Sequence, residues 1–95
     1  MRDVVILGST GSIGRQALEI IAANPDRFRV VGLSCGGGNH ALLVEQALEF
    51  EVRALAITDS AAAHRVREAI PGAQVISGQS ASAELAAVAC DVVLN

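Results

Sequence analysis

Five short aliphatic runs alternate with four helical patterns along the chain, and this alternation constrains the fold more than any other feature. Val4-Val5-Ile6-Leu7 is a continuous apolar run, as a strand buried on both faces requires. After a glycine-rich turn, Ile13, Ala17, Ile20 and Ile21 are expected on one helical face. Asn24-Pro25-Asp26 should end that helix, because the residue before proline avoids the α region. Residues 29–34 (RVVGLS) read as a second strand, followed by the loop Cys35-Gly36-Gly37-Gly38-Asn39. Leu43, Ala47 and Phe50 mark a second helix, and residues 54–58 (ALAIT) a third strand. Asp59 or Ser60 can cap a third helix whose apolar face would be Ala62, Val66, Ala69 and Ile70, with Pro71-Gly72 as its stop. Residues 74–77 form a short fourth strand. Ser80 is expected to cap a fourth helix containing Leu85, Val88 and Ala89. Residues 91–95 (DVVLN) open a fifth strand, an apolar segment that reads as the approach to further chain.

Strands that alternate with helices pair in parallel through right-handed crossovers. The expected architecture is therefore α/β: a Rossmann-like, doubly wound parallel sheet with helices on both faces. No repeat, low-complexity tract or linker divides the 95 residues, which read as part of one domain.

Composition narrows the function. Apolar residues make up 52% of the chain, with no Trp or Tyr, so the core is aliphatic. The net charge is −3, and the seven basic residues are all Arg, scattered without a basic stripe. With almost no aromatic surface for base stacking, nucleic acid is excluded as the main partner. No apolar run approaches the ~18 residues of a membrane span, and no secretory leader pattern precedes the first strand. Cys35 and Cys90 form neither a CxxC pair nor a metal spacing, so they read as reduced thiols of a cytoplasmic protein. His40 and His64 have no ligand-spaced partner, and Ser9, Ser12, Ser34 and Ser77 belong to no visible hydrolase triad. Asp3 and Asp91 are expected to face solvent, and Arg15 reads equally as a phosphate contact or a solvated helix residue.

The turn GSTGSIG, residues 8–14, is the chemically informative stretch. It lies between the first strand and first helix, where a dinucleotide fingerprint belongs. Gly8 would turn the chain out of the strand. Gly11 would let a pyrophosphate approach the backbone, and Gly14 would let helix and strand pack closely. The helix-start N–H groups would face the phosphates, with Thr10 and Ser12 adding hydroxyl donors. The spacing is GxxGxxG rather than GxGxxG, and a plain tight turn is the competing reading. At the end of the second strand, NAD-binding chains place an acid for the ribose 2′-hydroxyl. Here no acid lies between Phe28 and Asn39. Gly36, Gly37, Gly38 and Asn39 offer neutral N–H groups and an amide instead, which suit a 2′-phosphate. NADP is favoured over NAD, although no Lys or Arg stands in the loop.

With these residues in view, the chain resembles the N-terminal part of the 1-deoxy-D-xylulose 5-phosphate reductoisomerases. The resemblance is carried by ILGSTGSIG (residues 6–14), NPDRFRVVGL (residues 24–33), the glycine loop ending in Asn39, and DVVLN (residues 91–95). It implies NADPH as cofactor, Mg or Mn in the intact enzyme, and a sugar-phosphate substrate. The implied reaction converts deoxyxylulose phosphate to methylerythritol phosphate, in non-mevalonate isoprenoid biosynthesis, by an intact homodimer. It assigns pyrophosphate contacts to Thr10, Gly11, Ser12 and Ile13, and 2′-phosphate contacts to the loop from Gly36 to Asn39. That loop departs from many relatives in having an additional Gly and no Lys. The family's catalytic and metal-binding residues are expected beyond this chain, which resembles about the first quarter of such an enzyme. Extended short-chain and semialdehyde dehydrogenases carry similar turns, and a non-enzymatic nucleotide-sensing domain is a third reading.

Overall fold

A computed structural model describes residues 1–88 and 90–95. The elements run β1 (Arg2–Ile6), α1 (Ser12–Ala22), β2 (Phe28–Cys35), α2 (His40–Glu49), β3 (Ala54–Ile57), α3 (Ser60–Ala69), β4 (Gln74–Ser77), α4 (Ala81–Ala86) and β5 (Val92–Leu94). All pairings are parallel, in the order β4-β3-β2-β1-β5. The expected doubly wound sheet is thus observed.

The order fixes where the helices lie. The chain steps from β1 to β4 in one direction, so right-handed crossovers place α1, α2 and α3 on one face. It then returns through α4 to β5, on the far side of β1, which places α4 on the other face. Two cores result. Val4, Ile6, Leu33, Leu55 and Ile57 pack with Leu18, Leu43 and Val66 under the first three helices. Val5 and Ala56 pack with Ala81 and Leu85 under α4. Gly32 serves the second core: a Cβ there would lie 3.0 Å from the Leu85 side chain. A register shift in β2, where Val4 and Val5 face Val30 and Gly32, turns this glycine toward α4.

Several expected faces are corrected. Leu18 and Ile21, with Gly14, form the buried stripe of α1, whereas Ile13 and Ile20 are 73% and 62% exposed. Gly14 seats the start of α1 against Gly8 and Ser9 of the turn, and Ile13 and Ile20 lie away from the stripe that it shares with Leu18 and Ile21. In α3 the buried residues are Ala62, Ala63 and Val66; Ala69 is exposed and Ile70 is the C-terminal cap. Asp59 is the N-terminal cap, its carboxylate accepting from the Ala62 N–H at 2.9 Å. Ser80 occupies the cap position of α4 but makes no capping bond; its hydroxyl donates to Glu84 at 3.2 Å. α4 ends at Ala86, before Val88, and Ala89 lies outside the described residues. Asp3 and Asp91 do more than face solvent. Asp91 accepts from the Asp3 N–H at 2.8 Å, and Asp3 pairs with Arg29 at 2.9 Å, joining β5, β1 and β2 at their amino ends.

Candidate functional site

The order of strands reverses at β1, whose neighbours are β2 and β5. A crevice opens at the carboxyl ends of strands at such a switch point. The glycine turn leaves β1 at that end. Gly8 has φ +72°, a left-handed conformation that glycine adopts without strain. Gly14 meets the turn so closely that a Cβ would stand 2.5 Å from the Gly8 carbonyl oxygen and 2.7 Å from Ser9 Cα. Gly11 differs: its φ is −77°, and a Cβ would find only the Gly8 oxygen, at 3.4 Å. No other atom beyond its chain neighbours crowds such a Cβ, and Gly11 itself lines the cleft.

That cleft has a volume of about 480 Å³ and is lined mainly by apolar groups. Gly8, Gly11, Ser12, Ile13 and Gly14 form one wall, and Leu94 and Asn95 close the β5 side. Thr10 is half-buried and lies outside this lining.

The first helical bond of α1 runs from the Arg15 N–H to the Gly11 carbonyl, at 2.9 Å. The N–H groups of Ser12, Ile13 and Gly14 therefore precede the intrahelical ladder, and among the described residues no backbone acceptor takes them. No acid occupies the first turn. The helix dipole and these free donors together favour an anion.

α2 repeats the arrangement one strand away. Its cap residue Asn39 makes no side-chain capping bond, and its first turn also lacks an acid. Gly36, Gly38 and Asn39 are exposed. Gly37 is turned inward with φ +126°, and a Cβ there would lie 2.6 Å from Asp59 Cβ. Burial pushes the pKa of the neighbouring Cys35 thiol up, the Gly37 backbone only partly opposing it. His40 sits beside the loop, its Nδ1 3.4 Å from the Gly37 carbonyl. α3 offers no comparable site, because the Asp59 carboxylate already takes its terminal N–H.

The sequence reading missed the support beneath the turn. Gln46 is buried on α2, between Leu43 and Ala47, and both ends of its amide bond Ser9. A polar residue on an otherwise apolar helical stripe is the signal that could have disclosed it. Ser34 on β2 is likewise buried and accepts from the Gly8 N–H at 3.1 Å.

Among the described residues no group of three or more His, Cys, Asp or Glu could hold a metal ion. His64 pairs with Glu68, at 3.2 Å on an exposed helix face. Both cysteines are free, and no described helix is long and apolar enough to cross a membrane.

Known proteins with these features were found by sequence and by structure. The family model described as 1-deoxy-D-xylulose 5-phosphate reductoisomerase matches residues 4–95. The enzyme of that name from Streptomyces coelicolor is 44% identical, over 99% of this chain and 24% of its own length. That from Mycolicibacterium smegmatis is 55% identical, over 97% of this chain and 22% of its own. The Zymomonas mobilis enzyme, solved in complex with NADPH, superposes with a TM-score of 0.88 at 31% identity, over 97% of this chain and 25% of its own. A DOX-P reductoisomerase solved with NADPH, fosmidomycin and magnesium also gives 0.88, at 28% identity, over 98% of this chain and 24% of its own. The chain thus spans about a quarter of the length of the relatives it matches. A match running through the glycine turn, the second loop and all five strands places the chain in the 1-deoxy-D-xylulose 5-phosphate reductoisomerase family.

Proposed function

We propose that residues 1–95 form the N-terminal part of an NADP(H)-binding Rossmann-like domain, in a reductoisomerase acting on deoxyxylulose phosphate. The observation that carries this reading is the pair of acid-free helix starts on adjacent elements, α1 and α2, beside a third that is capped by its own Asp59. Two neighbouring anion sites suit a dinucleotide with a pyrophosphate and a separate 2′-phosphate. The glycine geometry fits such a group, since Gly11 lines the cleft with backbone alone and leaves its floor open to a ligand.

In this reading Gly8, Gly11, Ser12, Ile13 and Gly14 hold the pyrophosphate, with Thr10 contributing from the turn. Gly36, Gly38 and Asn39 hold the 2′-phosphate, and Gly37 shapes their loop. The bound cofactor supplies a hydride. These residues bind and orient it, with Ile13 and Leu94 offering apolar contact at the cleft. The solved relatives containing NADPH and magnesium support the cofactor assignment and a divalent metal for the intact enzyme. Catalytic, metal-binding and sugar-phosphate contacts are assigned to the part of the polypeptide beyond this segment. A cytoplasmic homodimer completes the proposal; the two free thiols suit a reducing compartment.

Calorimetric titration with NADPH and NADH tests it. NADPH should bind more tightly, and Asn39→Ala should weaken NADPH while sparing NADH. A charge-assisted hydrogen bond lost at Asn39 would cost roughly 1.5–3 kcal/mol. Equal affinity for the two cofactors would overturn the assignment of the second loop, and no binding of either would overturn the whole reading.

A further inference from the structure

We infer that Gln46 is a positioning residue that fixes the glycine turn and sets its spacing from the loop that opens α2. The inference rests on the nucleotide reading above. Ser9, Ser34 and Gln46 are the buried polar residues among those described, at 0%, 1% and 6% exposure. All three meet at one point, where the turn, β2 and α2 converge. Buried polar groups must be paired, so such a cluster defines one arrangement sharply.

The pairing is complete at Ser9. Its N–H donates to the Ser34 carbonyl at 2.9 Å. Its hydroxyl donates to Gln46 Oε1 at 2.8 Å, and its carbonyl accepts from Gln46 Nε2 at 2.9 Å. The two Gln46 bonds close a ring between residues 37 apart in sequence. Ser34 Oγ holds the preceding Gly8 N–H. The turn's inner polar groups are thereby tied to the protein, while those from Ser12 to Gly14 are left for a ligand.

The position of Gln46 gives the ring a second consequence. It lies six residues after His40, where α2 begins, or about 9 Å along the helix axis. The helix whose start faces the second loop is therefore fastened, at its second turn, to the first loop. Among the described residues no other side chain of α2 hydrogen-bonds the glycine turn. The separation of the two anion sites depends on this fastening, and only a ligand carrying both anions senses it.

The test compares Gln46→Met and Ser9→Ala with the parent, using NADPH and NADH titrations, circular dichroism and thermal melting. Gln46→Met keeps the length and apolar packing and removes both bonds. Its preference for NADPH over NADH should shrink about fivefold or more, the lower end of typical coupling between sites. Ser9→Ala removes the hydroxyl's contacts to Gln46 and to the Ser34 carbonyl but leaves the Gln46 amide bonded to the Ser9 carbonyl, so its preference should shrink by less. If Gln46→Met melts earlier but keeps the parent's preference, Gln46 is merely structural and the inference is overturned. If Gln46→Met does not fold, Ser9→Ala decides alone: an unchanged preference overturns the inference, a reduced one supports it. A parent that binds neither cofactor would show instead that the underlying nucleotide reading is wrong.

Discussion

Gly11 and Gly14 stand three residues apart, yet substitution should damage them in opposite ways. At Gly14 a methyl group would press into the Gly8 carbonyl and Ser9 backbone, which cannot yield as a flexible side chain would. Overpacking of this kind costs about 1–3 kcal/mol. Gly14→Ala should therefore melt earlier than the parent, by roughly 4–8 °C for each kcal/mol lost in a domain this small. Gly11→Val should melt as the parent does but bind neither NADPH nor NADH. Thermal denaturation and cofactor titration on the two variants check the contrast; a fully binding Gly11→Val would return the glycines to a purely local role. Cys35 supplies a different test. Its thiol is buried, and its raised pKa means that the folded state holds the proton more tightly than the unfolded chain. The associated stability is complete below the ordinary thiol value of about 8.5 and is lost as pH rises through the folded value. The sequence contains no Lys and no Tyr, whose titration would otherwise overlap that of the Cys35 thiol. Melting curves at neutral and alkaline pH should show a smaller alkaline loss for Cys35→Ala than for the parent.

The helices illustrate what a one-dimensional pattern can and cannot carry. Strand runs such as Val4-Val5-Ile6 were legible because both sheet faces are covered, which makes nearly every position apolar. The glycine turn was legible because glycine spacing reflects backbone demands: Gly8 takes a positive φ, and Gly14 lies too close to Gly8 and Ser9 for a Cβ. The face of α1 was not, because Ile13 and Ile20 are as apolar as Leu18 and Ile21. Which stripe is buried depends on how Gly14 seats the helix, a tertiary fact. Gln46 was missed for the converse reason: its polarity is satisfied by Ser9, a residue distant in sequence. Caps lie between these cases. Asp59 and Ser60 were equivalent candidates, and the structure selects Asp59 by its bond to Ala62. Losing such a cap costs about 0.5–2 kcal/mol. Asp59→Ala should lower the melting temperature accordingly, while Asp59→Asn, which keeps a side-chain oxygen, should recover most of it. Equal melting of the parent and Asp59→Ala would show that α3 is held by Ala62, Ala63 and Val66 alone.

At the scale of the molecule, the two faces of the sheet are unequally covered. The core beneath α1, α2 and α3 is broad, whereas the one beneath the short α4 contains four fully buried residues. β5 hydrogen-bonds to β1 along one edge, and among the described residues no strand pairs its other edge. Val93 and Leu94 on that strand are 42% and 38% exposed, and Leu94 borders the cleft together with the exposed Ile13 and Ile20. A free edge flanked by apolar side chains recruits another strand. The purified 95-residue chain should therefore associate in light scattering, and Leu94→Lys, which sets a charge beside the edge, should reduce that association. Its chemistry should stop at binding. Magnesium requires a near-octahedral set of oxygen ligands, and the acids Asp26, Glu45, Glu49 and Asp59 are dispersed over turns and helix surfaces. Hydride transfer further needs a substrate held against the nicotinamide, and the described residues at the cleft are glycines, small polar groups and aliphatic side chains. With NADPH, magnesium and deoxyxylulose phosphate supplied together, the chain should bind cofactor yet produce no metal-dependent fall in NADPH absorbance. Sustained turnover under those conditions would mean that catalytic groups lie within these 95 residues, and the division between binding and catalysis proposed for the family polypeptide would have to be redrawn.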